Sequence, residues 1–336
     1  MGDGEFDLIA RLVERLPPSG PRLRVASGDD AAIVEPAEGA AATTIDSIIE
    51  GVHFTLPQFS LAAVGRKAMA AALSDLAAMG AEPGEAYVAL GAPDSLDTAA
   101  LLEVGEGLTE VAEREHVTVA GGDVSASPAL MLTVACVGYE RPGIPLVTRE
   151  GASVGDAVVV TGELGGAAAA LALLAGTAPG ADAIGSEDRE RLLARQLDPR
   201  PRIAAGRALA RAGATAMIDV SDGLGAEAGH LARAAGERLE IELESVPRPA
   251  AIEALAGDEA TARAWTVSGG EDYELLATVA ADRLAEAASA VEATGVGLTQ
   301  IGEVTAGEEA VISDGQGRAV DAPGFDHMRG SRAGSP

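Results

Sequence analysis

The stretch 214–236, ATAMIDVSDGLGAEAGHLARAAG, passes from an apolar run through DVSDG into a helical pattern. A buried-looking strand, a glycine turn and a helix in direct succession are the working unit of α/β and α+β proteins. The turn carries Asp219, Ser221 and Asp222 ahead of Gly223. Strand ends that feed glycine turns are where such folds place ligand groups. Along an extended DVS, alternation puts Asp219 and Ser221 on one face.

The same alternation runs through the rest of the chain. Residues 5–16 read as a helix, 31–35 and 41–46 as strands, and 60–80 as a long Ala-rich helix. Strand, helix and strand follow over 84–93, 98–116 and 117–123, and ALMLTVACVGY (129–139) reads as a further strand. The Pro/Gly-punctuated stretch RPGIPLVTREGASVGD (141–156) marks a boundary, after which DAVVVTGELGG restarts the pattern. The expected organisation is an N-terminal α/β domain over 1–142, a C-terminal α/β domain over 150–330 and a small, polar, disordered tail over 331–336.

Composition limits the function classes. With 336 residues and 47% hydrophobic content the chain can bury two cores, but at 2% aromatic these must be built from Ala, Val, Leu and Ile. A formal charge of -28 argues against a nucleic-acid or acidic membrane partner. No run approaches the ~18 apolar residues that cross a bilayer. The start MGDGEFDLIARL lacks a basic-then-apolar leader, so a cytoplasmic protein is expected. A single cysteine, Cys136, excludes an intrachain disulfide and a thiolate cage.

Acids occur where acids are costly. Asp29 and Asp30 follow Gly28 before a strand, Asp46 is read as ending the strand TTID, and Asp123 as ending VAGGD. Each alone has a plain alternative as an N-cap or turn former. Asp75 differs, because it sits inside the nearly wholly apolar AMAAALSDLAAMGA, where an ionised carboxylate needs a partner or a metal. Oxygen donors without a His or Cys cluster favour hard cations, magnesium before zinc. The only lysine, Lys67, lies in GRKA, so no Walker-type loop exists, and no H-E-x-x-H pair occurs among the four histidines. TGELGG (161–166) misses dinucleotide-loop spacing and reads as a structural turn. Ser221 has no Ser-His-Asp pattern around it and suits a hydroxyl contact to phosphate or metal.

In order along the chain, GEFDLIARL, GDDAAIV, IDSIIEGVHF, ALSDLAAMGA, GGDVSASP, TREGASVGD, DVSDGL and SGGEDYELL resemble the thiamine-monophosphate kinases, over roughly residues 4–328 and closing with GFDHM. The resemblance implies an α/β (α+β), two-domain aminoimidazole-ribonucleotide synthetase-like fold whose N-terminal sheets pair across a homodimer. It implies ATP-dependent phosphorylation of thiamine monophosphate to thiamine diphosphate, with several Mg²⁺ ions. Family magnesium ligands fall on Asp30, Thr44, Asp46, Asp75, Asp123, Asp219 and Asp222, and on Ile45, where only a backbone carbonyl can serve. Nucleotide contacts fall on Gly122, Asp123, Arg149 and Ser221, and substrate contacts on His53, Glu271 and Phe325. Ala322 and Pro323 stand where the family often carries a bulky residue. Selenophosphate synthetases and hydrogenase-maturation relatives use cysteines that this chain lacks at the matching places. An aminoimidazole-ribonucleotide synthetase-like enzyme and a non-catalytic acidic metal-binding protein are the alternatives.

Overall fold

The computed structural model describes residues 5–16, 20–25, 31–56 and 58–324. Contacts divide the chain into two compact units. One comprises Met1–Leu76, Ala81–Pro142 and Leu197–Pro199, and the other Ala77–Gly80, Gly143–Gln196 and Arg200–Pro336.

The N-terminal unit runs α1 (Glu5–Val13), β1 (Leu23–Val25), β2 (Ile33–Val34), β3 (Ala41–Ile49), α2 (Leu61–Ala78), β4 (Glu82–Ala92), α3 (Thr98–Arg114), β5 (Thr118–Ala126) and β6 (Met131–Tyr139). Its main sheet has the order β3-β6-β4-β5, with β1 and β2 as a separate pair. Only β4 and β5 are parallel, joined by the crossover helix α3 that parallel neighbours require. Strand β6 alternates strictly: Leu132, Val134 and Cys136 are buried and their neighbours half-exposed. Helix α2 lies against that face, with Leu76 beside Gly138 of β6 and Asp75 bonded to Thr44 of β3; its Met69, Leu73 and Leu76 are buried, and it crosses α3 closely. A Cβ at Gly65 would lie 2.0 Å from the Val104 carbonyl oxygen, and one at Gly107 1.9 Å from that of Ala62. The approach of the two backbones therefore depends on these glycines.

The C-terminal unit runs β7 (Asp156–Thr161), α4 (Gly166–Leu174), α5 (Ser186–Leu197), α6 (Ile203–Ala212), β8 (Ala214–Asp219), α7 (Leu224–Ala235), β9 (Arg238–Glu242), α8 (Ile252–Ala256), α9 (Glu259–Ser268), β10 (Leu275–Ala280), α10 (Leu284–Glu292), β11 (Leu298–Thr305) and β12 (Ala310–Ser313). Six strands form one sheet in the order β12-β9-β11-β7-β10-β8, antiparallel except for β12 beside β9. The interior strands β7 and β10 are buried nearly end to end, as continuous apolar runs such as AVVV and LLATV require when both faces are covered. Val158, Val160, Ile218, Leu276 and Ile301 share a core with Leu224 and Leu231 of α7.

Most elements fall where the sequence placed them, with two corrections. Strand β3 continues past Asp46 to Ile49, and β5 continues past Asp123 to Ala126, so neither acid ends its strand. Aspartate is depleted in strands, which made these residues look like terminators. Pairing with β6 and β4 overrides that local preference. Asp219 does end β8, as expected.

Candidate functional site

In the N-terminal unit the register decides which side chains meet. Thr44 pairs with Cys136 and Asp46 with Val134 across β3 and β6. Val134 and Cys136 are wholly buried, so Thr44 and Asp46 share the helix-covered face of the sheet. Asp75, half-buried on α2, meets them there, and the Thr44 hydroxyl donates to its Oδ2. Burial chiefly, then the charges of Asp46 and Asp75, push the Cys136 thiol up to about 12. The thiol therefore stays protonated, and the donor set is oxygen only: two carboxylates and a hydroxyl.

Other expected residues lie apart from this group. Ile45 faces the opposite side of the sheet, 67% exposed, so only its backbone carbonyl is available. Asp123 pairs with Ala89, Ala89 with Thr133, and Thr133 with Ser47, which puts Asp123 on the face away from Asp46. There Ser125 Oγ donates to Asp123 Oδ2 at 2.8 Å. Gly122 has a packing reason to be glycine, since a Cβ would stand 2.1 Å from the Val88 carbonyl oxygen. His53, half-buried in the turn after β3, accepts the Ile49 N–H at Nδ1, 3.0 Å away. Asp30 and Phe325 lie outside the described residues. Among the described residues no three His, Cys, Asp or Glu side chains converge closely enough to form a cation cage by themselves.

In the C-terminal unit DVSDG leaves β8 and turns against SGGEDYE. The Val220 N–H donates to the Glu274 carbonyl at 2.7 Å, Tyr273 N–H to the Val220 carbonyl at 3.0 Å, and Glu271 N–H to the Ser221 carbonyl at 2.8 Å. Gly270 permits this approach, because a Cβ there would come within 2.4 Å of the Ser221 oxygen. At the turn Gly223 has φ 111°, and α7 begins. Glu227, in the first turn of α7, reaches back to accept the Asp222 N–H at 2.9 Å and the Ser221 hydroxyl at 3.4 Å. This is the logic of a capping box, in which an acid inside the helix satisfies donors that precede it. Burial chiefly raises the Glu227 carboxyl, and the Asp222 charge adds to the rise; the Asp222 N–H and the Arg149 charge oppose it. Exposed Arg149 also acts on His230, which burial first and then Arg233 and Arg149 push down. A hydroxyl, two carboxylates and a cation thus gather around one strand-to-helix turn.

Three acids of this region escaped the sequence reading. Glu227 is one. Glu274, fully buried, accepts from Arg195 Nη1 at 2.9 Å, Arg202 Nε at 2.7 Å and the Thr161 hydroxyl at 2.7 Å. Asp272 accepts the Gly165 N–H at 2.6 Å and the Ala167 N–H at 2.8 Å, capping the start of α4. Between and beside these acids, Glu271 (φ 68°) and Tyr273 (φ 52°) adopt left-handed backbone without being glycine. The Glu271 carboxylate accepts from Gln196 Nε2 at 2.9 Å. An acid abutting the apolar run LLATV was the available signal for Glu274, by the same test that singled out Asp75.

Known proteins give independent bearings. Residues 28–139 match the AIR synthase related protein N-terminal domain, and residues 153–315 its C-terminal domain. The thiamine-monophosphate kinase of Escherichia coli K12 is 38% identical over 331 residues, spanning 98% of this chain and 99% of that one. The crystal structure of thiamine-monophosphate kinase from Stenotrophomonas maltophilia K279a superimposes with a TM-score of 0.80 at 34% identity, covering 93% of this chain and 95% of that one. AaThiL complexed with AMPPCP and TMP matches with a TM-score of 0.76 at 30% identity, over 96% of this chain and 95% of that one.

Burial is the largest influence on Asp272 and raises its carboxyl to about 7; the two N–H donors and Arg195 pull the other way, and Glu274 adds to the rise. An unfolded aspartyl titrates near ~4, so the folded chain holds this proton more tightly. The resulting stabilisation is complete below about pH 4 and is lost as pH rises through about 7. In urea midpoints collected from pH 4 to pH 8, the difference between wild type and Asp272→Asn should shrink or reverse across that interval. Parallel curves would contradict the assignment.

Proposed function

Because the chain belongs to the thiamine-monophosphate kinase family, whose members are AIR synthase related proteins, we propose that it uses ATP to phosphorylate thiamine monophosphate, giving thiamine diphosphate. Full-length kinship carries this reading. The DVSDG turn supports it, since a hydroxyl, carboxylates and Arg149 are the groups that a polyphosphate with its cations requires.

The acceptor is a phosphate oxygen with a second pKa near ~6, already ionised at neutrality. No general base is needed. The obstacle is charge. Each unit pair at ~4 Å repels by about 4 kcal/mol at an effective dielectric of ~20. The oxygen-only donor sets fit a hard dication. Asp46 and Asp75 with Thr44 would hold magnesium in the N-terminal unit, and Asp219 and Asp222 in the C-terminal unit. Asp30, Asp123 and the Ile45 carbonyl belong to the same proposed set. Bound magnesium supplies charge neutralisation on the phosphates.

The chain's own groups do the rest. Ser221 offers a hydroxyl to the nucleotide, Gly122 and Asp123 offer a further contact, and Arg149 holds phosphate by charge. Glu227 keeps the Ser221–Asp222 turn in place through its two accepted hydrogen bonds. His53, Glu271 and Phe325 are assigned to thiamine monophosphate. Transfer is direct and in line, so no phosphorylated enzyme accumulates.

We further propose that the protein is a cytoplasmic homodimer. The uncovered face of the β3-β6-β4-β5 sheet carries Ile45 and supplies the pairing surface. None of the described helices is long and apolar enough to cross a membrane. Sedimentation equilibrium should return twice the chain mass, and a monomer at micromolar concentration would contradict this arrangement.

In a coupled assay of ADP release, wild type should turn over thiamine monophosphate and not thiamine. Asp75→Asn keeps an acceptor for Thr44 and should fold with a near-unchanged urea midpoint, yet lose about a hundredfold in turnover, the scale of a removed electrostatic stabiliser. Near-normal turnover would make the acid structural.

A further inference from the structure

The acid that sets the active turn is not one that touches the substrate. Glu271 and Tyr273 both hold left-handed backbone with a Cβ present, a conformation that is unfavourable for such residues and persists only when its surroundings impose it. Asp272, between them, is buried. Its two carboxylate oxygens accept the Gly165 and Ala167 N–H groups. Those donors belong to the first turn of α4, whose N-cap residue, Gly165, has no side chain to satisfy them. The bonds join residues 107 and 105 positions apart in sequence, so they tie the turn to a separate element.

Glu271 leans on that same element indirectly. Gln196 Nε2 donates both to the Glu271 carboxylate, at 2.9 Å, and to the Ala167 carbonyl, at 3.3 Å. On the other side, the Glu271 N–H is bound to the Ser221 carbonyl. One turn of α4 therefore governs the backbone of 271–273 through Asp272 and the Glu271 side chain through Gln196. Beyond it, Glu274 is anchored separately by Arg195 and Arg202. A rigid anchor on one side and a hydrogen-bonded clamp in the middle leave Glu271 no freedom to turn away.

We propose that Asp272 is a positioning residue: its two bonds to the start of α4 fix the left-handed turn that presents Glu271 to the acceptor, beside Ser221. This rests on the assignment of Glu271 to thiamine monophosphate, and it adds a residue that acts through another rather than by contact. Small displacements of a binding group cost heavily in such sites.

The test uses the full-length chain in three forms: wild type, Asp272→Asn and Val304→Ala. Asparagine keeps the shape but sets an NH₂ group against one of the two N–H donors. Val304→Ala removes buried volume from β11 of the same unit, so it reports on loss of stability alone. The KM for thiamine monophosphate should rise about tenfold in Asp272→Asn, with the KM for ATP within about twofold; Val304→Ala should leave both unchanged. Amide hydrogen exchange, which needs no substrate, should quicken at Glu271 and Tyr273 in Asp272→Asn and not in Val304→Ala. Equal KM values in all three proteins, or unaltered exchange at 271 and 273, would overturn the proposal. If wild type fails to turn over thiamine monophosphate, the functional reading falls. Exchange then decides the clamp by itself: faster exchange at 271 and 273 upholds it, and unchanged exchange removes it.

Discussion

A carboxylate beneath apolar surface must meet hydrogen-bond donors or positive charge, and that requirement organises this molecule. The chain meets it in several ways. Glu274 is met by two guanidinium groups and a hydroxyl. Asp272 is met by two backbone N–H groups at a helix start, and Glu227 by the donors of the turn it caps. These three are satisfied within the protein, and their work is to hold loops. Asp46 and Asp75 lie on the sheet face that also carries the protonated Cys136 thiol, and Asp75 accepts from the Thr44 hydroxyl. This is where the proposal puts one magnesium ion.

The acids proposed for magnesium have a different task from the three that hold loops. Acids paired internally cluster along SGGEDYE and the start of α7, where they set the backbone of two adjoining turns. Of the acids proposed for magnesium, Asp46, Asp75, Asp123 and Asp219 lie on regular elements, β3, α2, β5 and the end of β8, whose positions are fixed by sheet register and core packing rather than by the ligand. Rigid placement lets a site accept dications without reorganising around them.

Much of this was legible before any coordinates. The helix read over 60–80 forms at Leu61–Ala78, and Asp75 was singled out because its neighbours are apolar. ATAMID and DAVVVT read as strands because their runs are apolar and β-branched. The strand order was not legible, since alternating strands and helices suggest parallel neighbours while hydrogen-bonded pairing here is mostly antiparallel. Which face Asp123 takes depends on a bulge between Ala86 and Tyr87, which no local pattern announces. Glu227, Asp272 and Glu274 were missed because their partners are brought in by tertiary packing; Arg195 is 79 residues from Glu274. Motif reading found the stretch SGGEDYE, but only the structure shows Asp272 bound to the start of α4 and Glu274 to Arg195 and Arg202.

The central claim is that carboxylates on rigid elements hold magnesium for a polyphosphate. Calorimetric titration of a non-hydrolysable ATP analogue into the protein, with magnesium and then with a chelator present, tests it most directly. Binding that requires magnesium, and that Asp219→Asn with Asp222→Asn abolishes, is the predicted result. Equal affinity without magnesium, or in the doubly substituted protein, would contradict the account.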